Sequence, residues 1–250
     1  MGAIIGCASW QPAFVDDPTT SGFEITRLRV GADNAWLIIN PHNTKDAILI
    51  DNGRPQNVRG LEEKIREAGV APSDLDAIIL THGHFDHAGG AAYFQNTYGA
   101  RVVAGIGDRN LIEDAASDEL CPTIPFARRL AGAPPPEGSW GAKIDIPVED
   151  TLDLSSISSI NGKIIVLPGH TKGSLIVRAG DAVFVGDLIR GKAIGRGPAR
   201  HLFMCDIADN DRDLAYLLDT IAPDAERFFP GHMKSFTRPQ LERFLGLDAS

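Results

Sequence analysis

The sequence predicts an α/β protein: two mixed β-sheets packed face to face, with helices covering both outer surfaces. Three observations carry that expectation. Short apolar runs of strand length alternate with segments of helical period in both halves of the chain. No fixed-period repeat of the solenoid kind interrupts them. Four of the apolar runs end in side chains that bind metals, which points to a common site along one sheet edge.

Residues 23–30 alternate, with Phe23, Ile25, Leu28 and Val30 roughly marking one face. Residues 35–39 and 47–50 are apolar and are separated by the turn-formers Asn40, Pro41, His42 and Asn43, so these three segments read as antiparallel strands. Residues 56–68 place Val58, Leu61, Ile65 and Ala68 at helical spacing and stop at Gly69. Residues 77–80 form a short buried strand, and 88–98 a helix behind it whose positive end is expected near the site. A strand at 101–104 and a helix at 107–116 follow.

Residues 121–141 differ. They hold Pro122, Pro125 and the run Pro134-Pro135-Pro136, so the expectation is a long loop acting as a lid, with Phe126 and Trp140 as apolar walls. Strands then follow at 143–146, 151–154 and 163–167. Residues 173–178 and 182–185 form a hairpin across Ala179-Gly180-Asp181. A helix at 209–220, a strand at 227–229 and a closing helix at 238–245 complete the chain.

The 250 residues suit one domain, because the site-type residues span them, and 43% apolar content is ample for a core. A formal net charge of −9 argues against a sequence-independent grip on nucleic acid. No stretch approaches a membrane span, and the start lacks the basic residues of a secretory signal. Cys7, Cys121 and Cys205 are few, odd in number and widely spaced, so no disulfide framework is expected and a reducing cytoplasm fits.

The most informative stretch is Thr81-His82-Gly83-His84-Phe85-Asp86-His87-Ala88-Gly89-Gly90. It carries three of the seven histidines in the chain. On an extended backbone His82 and His84 point the same way, whereas Asp86 and His87 are adjacent and point apart, toward a second centre. Imidazole nitrogen and carboxylate oxygen are the donors that borderline divalent metals accept. Pro168-Gly169-His170, Val185-Gly186-Asp187 and Pro230-Gly231-His232 each follow a further apolar run.

This order of His-x-His-x-Asp-His followed by single His, Asp and His resembles the metallo-β-lactamase superfamily, over roughly residues 51–232. The resemblance implies a four-layer αββα sandwich of two mixed sheets flanked by helices. It implies a first metal site of His82, His84 and His170, a second of Asp86, His87 and His232, and Asp187 bridging the two. Asp51 matches a structural aspartate beneath the site, where Asn52 stands in place of the Thr of many relatives. Two Zn2+ are expected, with iron or manganese as alternatives. Asp86 would also orient the nucleophile, a hydroxide shared by the two ions.

Behind Asp187 runs a basic, glycine-rich loop in which Arg190, Arg196, Arg200 and His201 are candidates for holding an anionic substrate. The expected activity is hydrolysis of a small ester, thioester or lactone. A β-lactam substrate fits less well because no secretory signal is seen, and a hydroxyacylglutathione because no helical domain follows His232. A phosphodiester hydrolase, an iron-dependent oxidoreductase of the persulfide dioxygenase kind and a non-catalytic metal-binding regulator remain alternatives. Oligomeric state is not legible.

Overall fold

The structure, a computed structural model, describes residues 22–131 and 140–247. The first half forms a six-stranded sheet of β1 (Glu24–Val30), β2 (Asp33–Asn40), β3 (Asn43–Ile50), β4 (Leu75–Leu80), β5 (Val102–Gly105) and β6 (Ile146–Val148), adjacent in that order. The second half supplies β7 (Thr151–Asp153), β8 (Gly162–Val166), β9 (Leu175–Ala179) and β10 (Ala182–Gly186). Next come a small ribbon of β11 (Arg190–Gly191) and β12 (Pro198–Ala199), then β13 (Arg227–Pro230) and β14 (Phe236–Thr237). The second sheet runs β14-β13-β10-β9-β8-β7. The helices are α1 (Val58–Glu67), α2 (Phe85–Ala88), α3 (Ala91–Tyr98), α4 (Arg109–Glu113), α5 (Pro125–Ala131), α6 (Ile207–Tyr216) and α7 (Arg238–Leu245).

Both sheets are mixed. β1, β2 and β3 pair antiparallel, whereas β3, β4, β5 and β6 pair parallel. In the second sheet β10 and β13 are parallel. Strands buried on both faces read as continuous apolar runs, which is why 77–80 and 182–185 show no alternation. Three apolar clusters separate the layers. Trp36, Ile38, Ile48, Ile50, Phe184 and Phe229 fill the space between the sheets. Leu37, Leu49, Leu61, Ile65 and Phe94 join the first sheet to α1 and α3, and Val183, Val185, Leu214 and Leu241 join the second to α6 and α7. The result is the expected αββα sandwich. No helix among the described residues is long and apolar enough to cross a membrane.

Several local expectations change. Ile25 packs between the sheets whereas Leu28 packs beneath α1, because an odd spacing on a strand puts two residues on opposite faces. The helix expected over 88–98 breaks at Gly89-Gly90 into α2 and α3, and the Gly90 amide is capped by Asn52 Oδ1 at 2.6 Å rather than left for a ligand. Gly89 and Gly90 sit so tightly on Pro55 and Asn52 that neither place has room for a Cβ. Residues 132–139 of the expected lid lie outside the described residues. Of its two expected apolar walls, Trp140 is buried under the first sheet and Phe126 is exposed on α5.

The cysteine reading is also corrected. Cys121 and Cys205 form a disulfide across a sequence separation of 84. Their segments already pair: Thr123 N donates to Leu202 O at 2.9 Å and Met204 N to Cys121 O at 2.8 Å. Strand-like pairing brings the two Cα atoms to 4.8 Å, within bridging range, which spacing along the chain cannot show. The cysteines therefore give no support to a reducing compartment. Cys7 lies outside the described residues.

Candidate metal centre

Every motif residue leaves the same edge of the sandwich. Asp51 follows β3, His82 and His84 follow β4, and Asp86 and His87 lie on α2. His170, Asp187 and His232 follow β8, β10 and β13. Carboxyl ends of strands are where α/β sheets place ligands. Gly231 is needed here, because a Cβ at that position would run into the His87 ring and Asp187 Oδ1.

The donors gather into four overlapping groups whose ligand atoms lie within 4.8 Å of one another. These are His82, His84 and His170; Asp86, His87 and His232; His82, His87 and Asp187; and His170, Asp187 and His201. His84 Nδ1 stands 3.2 Å from His170 Nε2, and His87 Nε2 stands 3.3 Å from His232 Nε2. Two nitrogens bound tetrahedrally at about 2.05 Å from one ion are separated by about 3.3 Å. Both pairs therefore already have the spacing of ligands on a common ion. His82 Nε2 and Asp187 Oδ1 are buried with no hydrogen-bond partner, a costly state that an ion removes. The donor set and its spacing fit two divalent metals sharing Asp187.

Acidic side chains from neighbouring loops fix which nitrogen of each ring faces inward. Asp51 is buried and accepts from Thr81 N at 2.7 Å and Thr81 Oγ1 at 2.8 Å. Its Oδ2 also lies 2.9 Å from His87 Nδ1, which holds a proton there and turns Nε2 toward the centre. Asp118 does the same for His84, with its Oδ2 3.1 Å from Nε2, so that Nδ1 faces His170. Asp108 is buried and accepts from Gly83 N, Thr171 Oγ1 and Gly173 N, tying the His82–His84 turn to the His170 loop. Asp33 receives Arg54 Nε at 2.8 Å and lies 3.5 Å from His232 Nδ1, while Arg54 Nη2 reaches Asp86 at 3.6 Å. Asp33, Arg54, Asp108 and Asp118 are additions to the residues read from the sequence.

The electrostatics separate the rings. Burial and the neighbouring imidazoles hold His82 and His170 well below the usual histidine range, in the neutral form that binds metal. Burial acts the same way on His87, but Asp187 and Asp51 override it and raise its pKa well above that range. His232 is likewise raised to about 9, against its burial, chiefly by Asp187. Burial favours the neutral form of Asp187, yet His201, His232 and His87 keep it well below the carboxylate range. Asp86 is lowered too, by His87 and His232 against burial.

The four substrate candidates part ways. His201 is buried at the centre, with Nε2 2.9 Å from Asp187 Oδ2 and its ring 5.0 Å from that of His170. Six of the seven histidines thus meet at the site; only His42 stands apart, exposed in the β2–β3 turn. Arg190 is half-buried, and its Nη1 donates to Gly191 O. Burial lowers its pKa, partly offset by Asp187. Arg196 is exposed on the tip of the loop. Arg200 is engaged elsewhere, by a two-pronged pair with Asp211 and by stacking over Phe244.

Comparison with known proteins places this geometry in context. The family model described as "Metallo-beta-lactamase superfamily" matches residues 28–232. An uncharacterized protein of Mycobacterium tuberculosis is 32% identical over 221 residues, covering 85% of this chain and 91% of the relative. A probable metallo-hydrolase of Methanocaldococcus jannaschii is 28% identical over 80% of this chain and 87% of its own length. A hydroxyacylglutathione hydrolase of Acidiphilium cryptum is 30% identical over 70% of this chain but only 57% of the relative. Among solved structures, a B3 metallo-β-lactamase aligns with TM-score 0.60 and 25% identity, covering 90% of this chain and 100% of that one. A protein solved in a di-iron-bound form aligns with TM-score 0.59 and 26% identity over 90% and 96%.

Proposed function

Because the chain belongs to the metallo-β-lactamase superfamily, we propose that it is a metal-dependent hydrolase of a small ester, thioester or lactone. The observation that supports this most is the pair of donor sets sharing Asp187, with nitrogens already 3.2 and 3.3 Å apart. His82, His84 and His170 would hold one ion, Asp86, His87 and His232 the other. Two divalent ions held there would supply Lewis acidity and a water whose pKa is lowered toward about 7.

The chain's own residues do the rest. Asp86 is ionised and partly accessible, so it is placed to accept a hydrogen bond from the attacking water and orient it. Asp187, held ionised at the centre, fixes the separation of the two donor sets. His201 stands over Asp187 beside His170 and His232, where a substrate carbonyl or leaving group would lie. No serine or cysteine nucleophile is needed.

A second reading follows from the di-iron-bound neighbour: the same donors accept iron, which would make the chain an oxidoreductase. Elemental analysis of the purified protein, followed by a chromogenic ester and lactone panel, separates the two. Close to two zinc per chain and turnover abolished by chelator supports the hydrolase. Iron, no hydrolysis, and oxygen uptake on a thiol or persulfide overturns it.

A further inference from the structure

Beside His232, three separate segments bring four cationic side chains into one cleft. Arg27 and Arg29 come from β1, Lys192 from the loop after β11, and Lys234 from the turn after β13. The remaining lining among the described residues is Ala32, Asn34, Ala193 and Met233, none of them a carboxylate. We propose that this cleft is an anion-binding subsite that takes the phosphate or carboxylate end of the substrate cleaved at the metal centre. The inference rests on the hydrolase reading for its catalytic half only.

The construction of the cleft supports this. Arg27 and Arg29 are two apart on a strand, so they share a face. That face also carries Ile25, which packs between the sheets. The two arginines therefore lie at the open end of the sandwich, next to the ligand loops. The cleft is joined to the metal centre by backbone. Ala32 O lies 3.3 Å from His232 Nδ1, and Gly191 N donates to His232 O at 3.1 Å. Asn34 Nδ2 donates to Pro230 O and to Met233 O, and Arg27 Nη1 donates to Met233 O at 3.3 Å.

Met233 itself has φ +69°, a left-handed conformation disfavoured for a side chain of its size. It stands between a metal-site histidine and Lys234 of the cleft. A strained residue kept by several hydrogen bonds next to a site is the kind found at ligand clamps.

Charge and size point to the ligand class. The chain carries a net charge of −9, so a local cluster of four cations is against the trend. Among the described residues, Arg29, Lys192 and Lys234 form no ion pair with a carboxylate. Converging like charges repel unless an anion offsets them. The cleft volume is about 130 Å³. Whole drug-sized ligands need about 300 Å³ or more, so the cleft suits one phosphate-sized group at the end of a longer molecule. This also supplies the anion contacts that Arg200, paired with Asp211, does not.

Calorimetric titration of inorganic phosphate into metal-loaded and chelator-treated protein tests the proposal, with succinate in parallel to show whether a carboxylate suffices. The variants are Arg29→Glu/Lys234→Glu and the milder Arg29→Gln/Lys192→Gln, each checked for metal content and fold. The expected result is phosphate binding that survives chelation and weakens by about tenfold or more on charge reversal. Binding that disappears with the metal and ignores the charge reversal, or no binding by wild-type protein at millimolar phosphate, overturns the subsite. A second arm compares 4-nitrophenyl acetate with mono-4-nitrophenyl succinate. A preference for the anionic ester, expressed in KM and lost on charge reversal, is expected. If phosphate binds as described but neither ester turns over, the hydrolase reading falls and the subsite stands. If both esters turn over with no dependence on these charges, the subsite falls and the hydrolase stands.

Discussion

Asp51 is a carboxylate that the structure uses to control a metal-site histidine without facing the metal itself. It is 1% exposed and receives three donors: Thr81 N, Thr81 Oγ1 and His87 Nδ1. Asp51→Ala strands all three in a buried place. At about 1–3 kcal/mol for each unsatisfied group, the loss should be about 3–9 kcal/mol, comparable with a whole protein's stability. Asp51→Asn is the sharper probe because it keeps the volume. Oδ2 receives both Thr81 Oγ1 and His87 Nδ1, so an amide nitrogen there would face two donors. Relief comes if His87 moves its proton to Nε2, which removes the lone pair aimed at His232 and Asp187. The second metal site should then lose about 10–100-fold in affinity while the first is little changed. Competition with a chromophoric chelator reads both affinities, and thermal unfolding reads stability. An Asp51→Asn protein that binds two metals as tightly as wild type would refute the tautomer argument.

Four further outcomes follow from the same contacts. Asp108→Ala releases Gly83 N, Thr171 Oγ1 and Gly173 N, and should cost about 3–9 kcal/mol and weaken the first metal site, read by unfolding and chelator competition. Cys205→Ser opens an 84-residue bridge, so wild-type protein should lose about 2–4 kcal/mol on reduction while the variant is insensitive to reductant. Metal binding must displace the protons on His87 and His232; since the His232 pKa is raised to about 9, affinity at the second site should climb with pH up to that value, with proton release measurable by calorimetry in buffers of different ionisation heat. Asp76 is raised to about 6 by burial and by Asp46. A raised folded-state pKa in an acid lowers stability as pH rises from about 4 to 6 and keeps it lowered above. Asp76→Asn should therefore raise the unfolding free energy at pH 8 by about 1 kcal/mol after solvent screening, read by denaturant unfolding, and leave it unchanged near pH 4.

The seven motif residues were legible because strand periodicity and strand ends are local properties. An apolar run predicts where a strand stops, and parity along it predicts which side chains share a face, so 77–80 and the four positions after it can be read together. The acids that orient the histidines are not local in this sense. Asp118 lies 34 residues from His84, Asp33 almost 200 from His232, and neither carries a motif of its own. Asp108 did leave a signal. It follows a strand parallel to β4, past Gly105-Ile106-Gly107, so its carboxylate had to emerge at the same edge as His82. The disulfide and the burial of Trp140 depend on which loop lies over which, and sequence spacing contains no such information. His201 was read as an anion contact from the basic loop around it, but the β11–β12 ribbon turns it back onto Asp187.

This division has a consequence for how the site works. The motif supplies donor types, and those alone do not choose the metal, because geometry and metal availability decide among zinc, iron and manganese. What the other residues add is orientation: Asp51 sets the His87 tautomer, Asp118 that of His84, and Asp108 the spacing of two loops. Arg54 matters because it touches both Asp33 and Asp86, and so links the backing of His232 to the carboxylate of the same metal site. Removing Arg54 would take the 2.8 Å partner from buried Asp33 and leave it the looser 3.5 Å approach of His232, a costly loss for a buried carboxylate. The second donor set is thus built around charge on both sides, with Asp33 and Arg54 behind and Asp187 in front. In the first set, His82 and His170 are held neutral and hydrogen bonds orient the rings. Two sites this unlike should fill at different metal concentrations, and the site of His82 and His170, with no proton to displace from those two rings, should fill first.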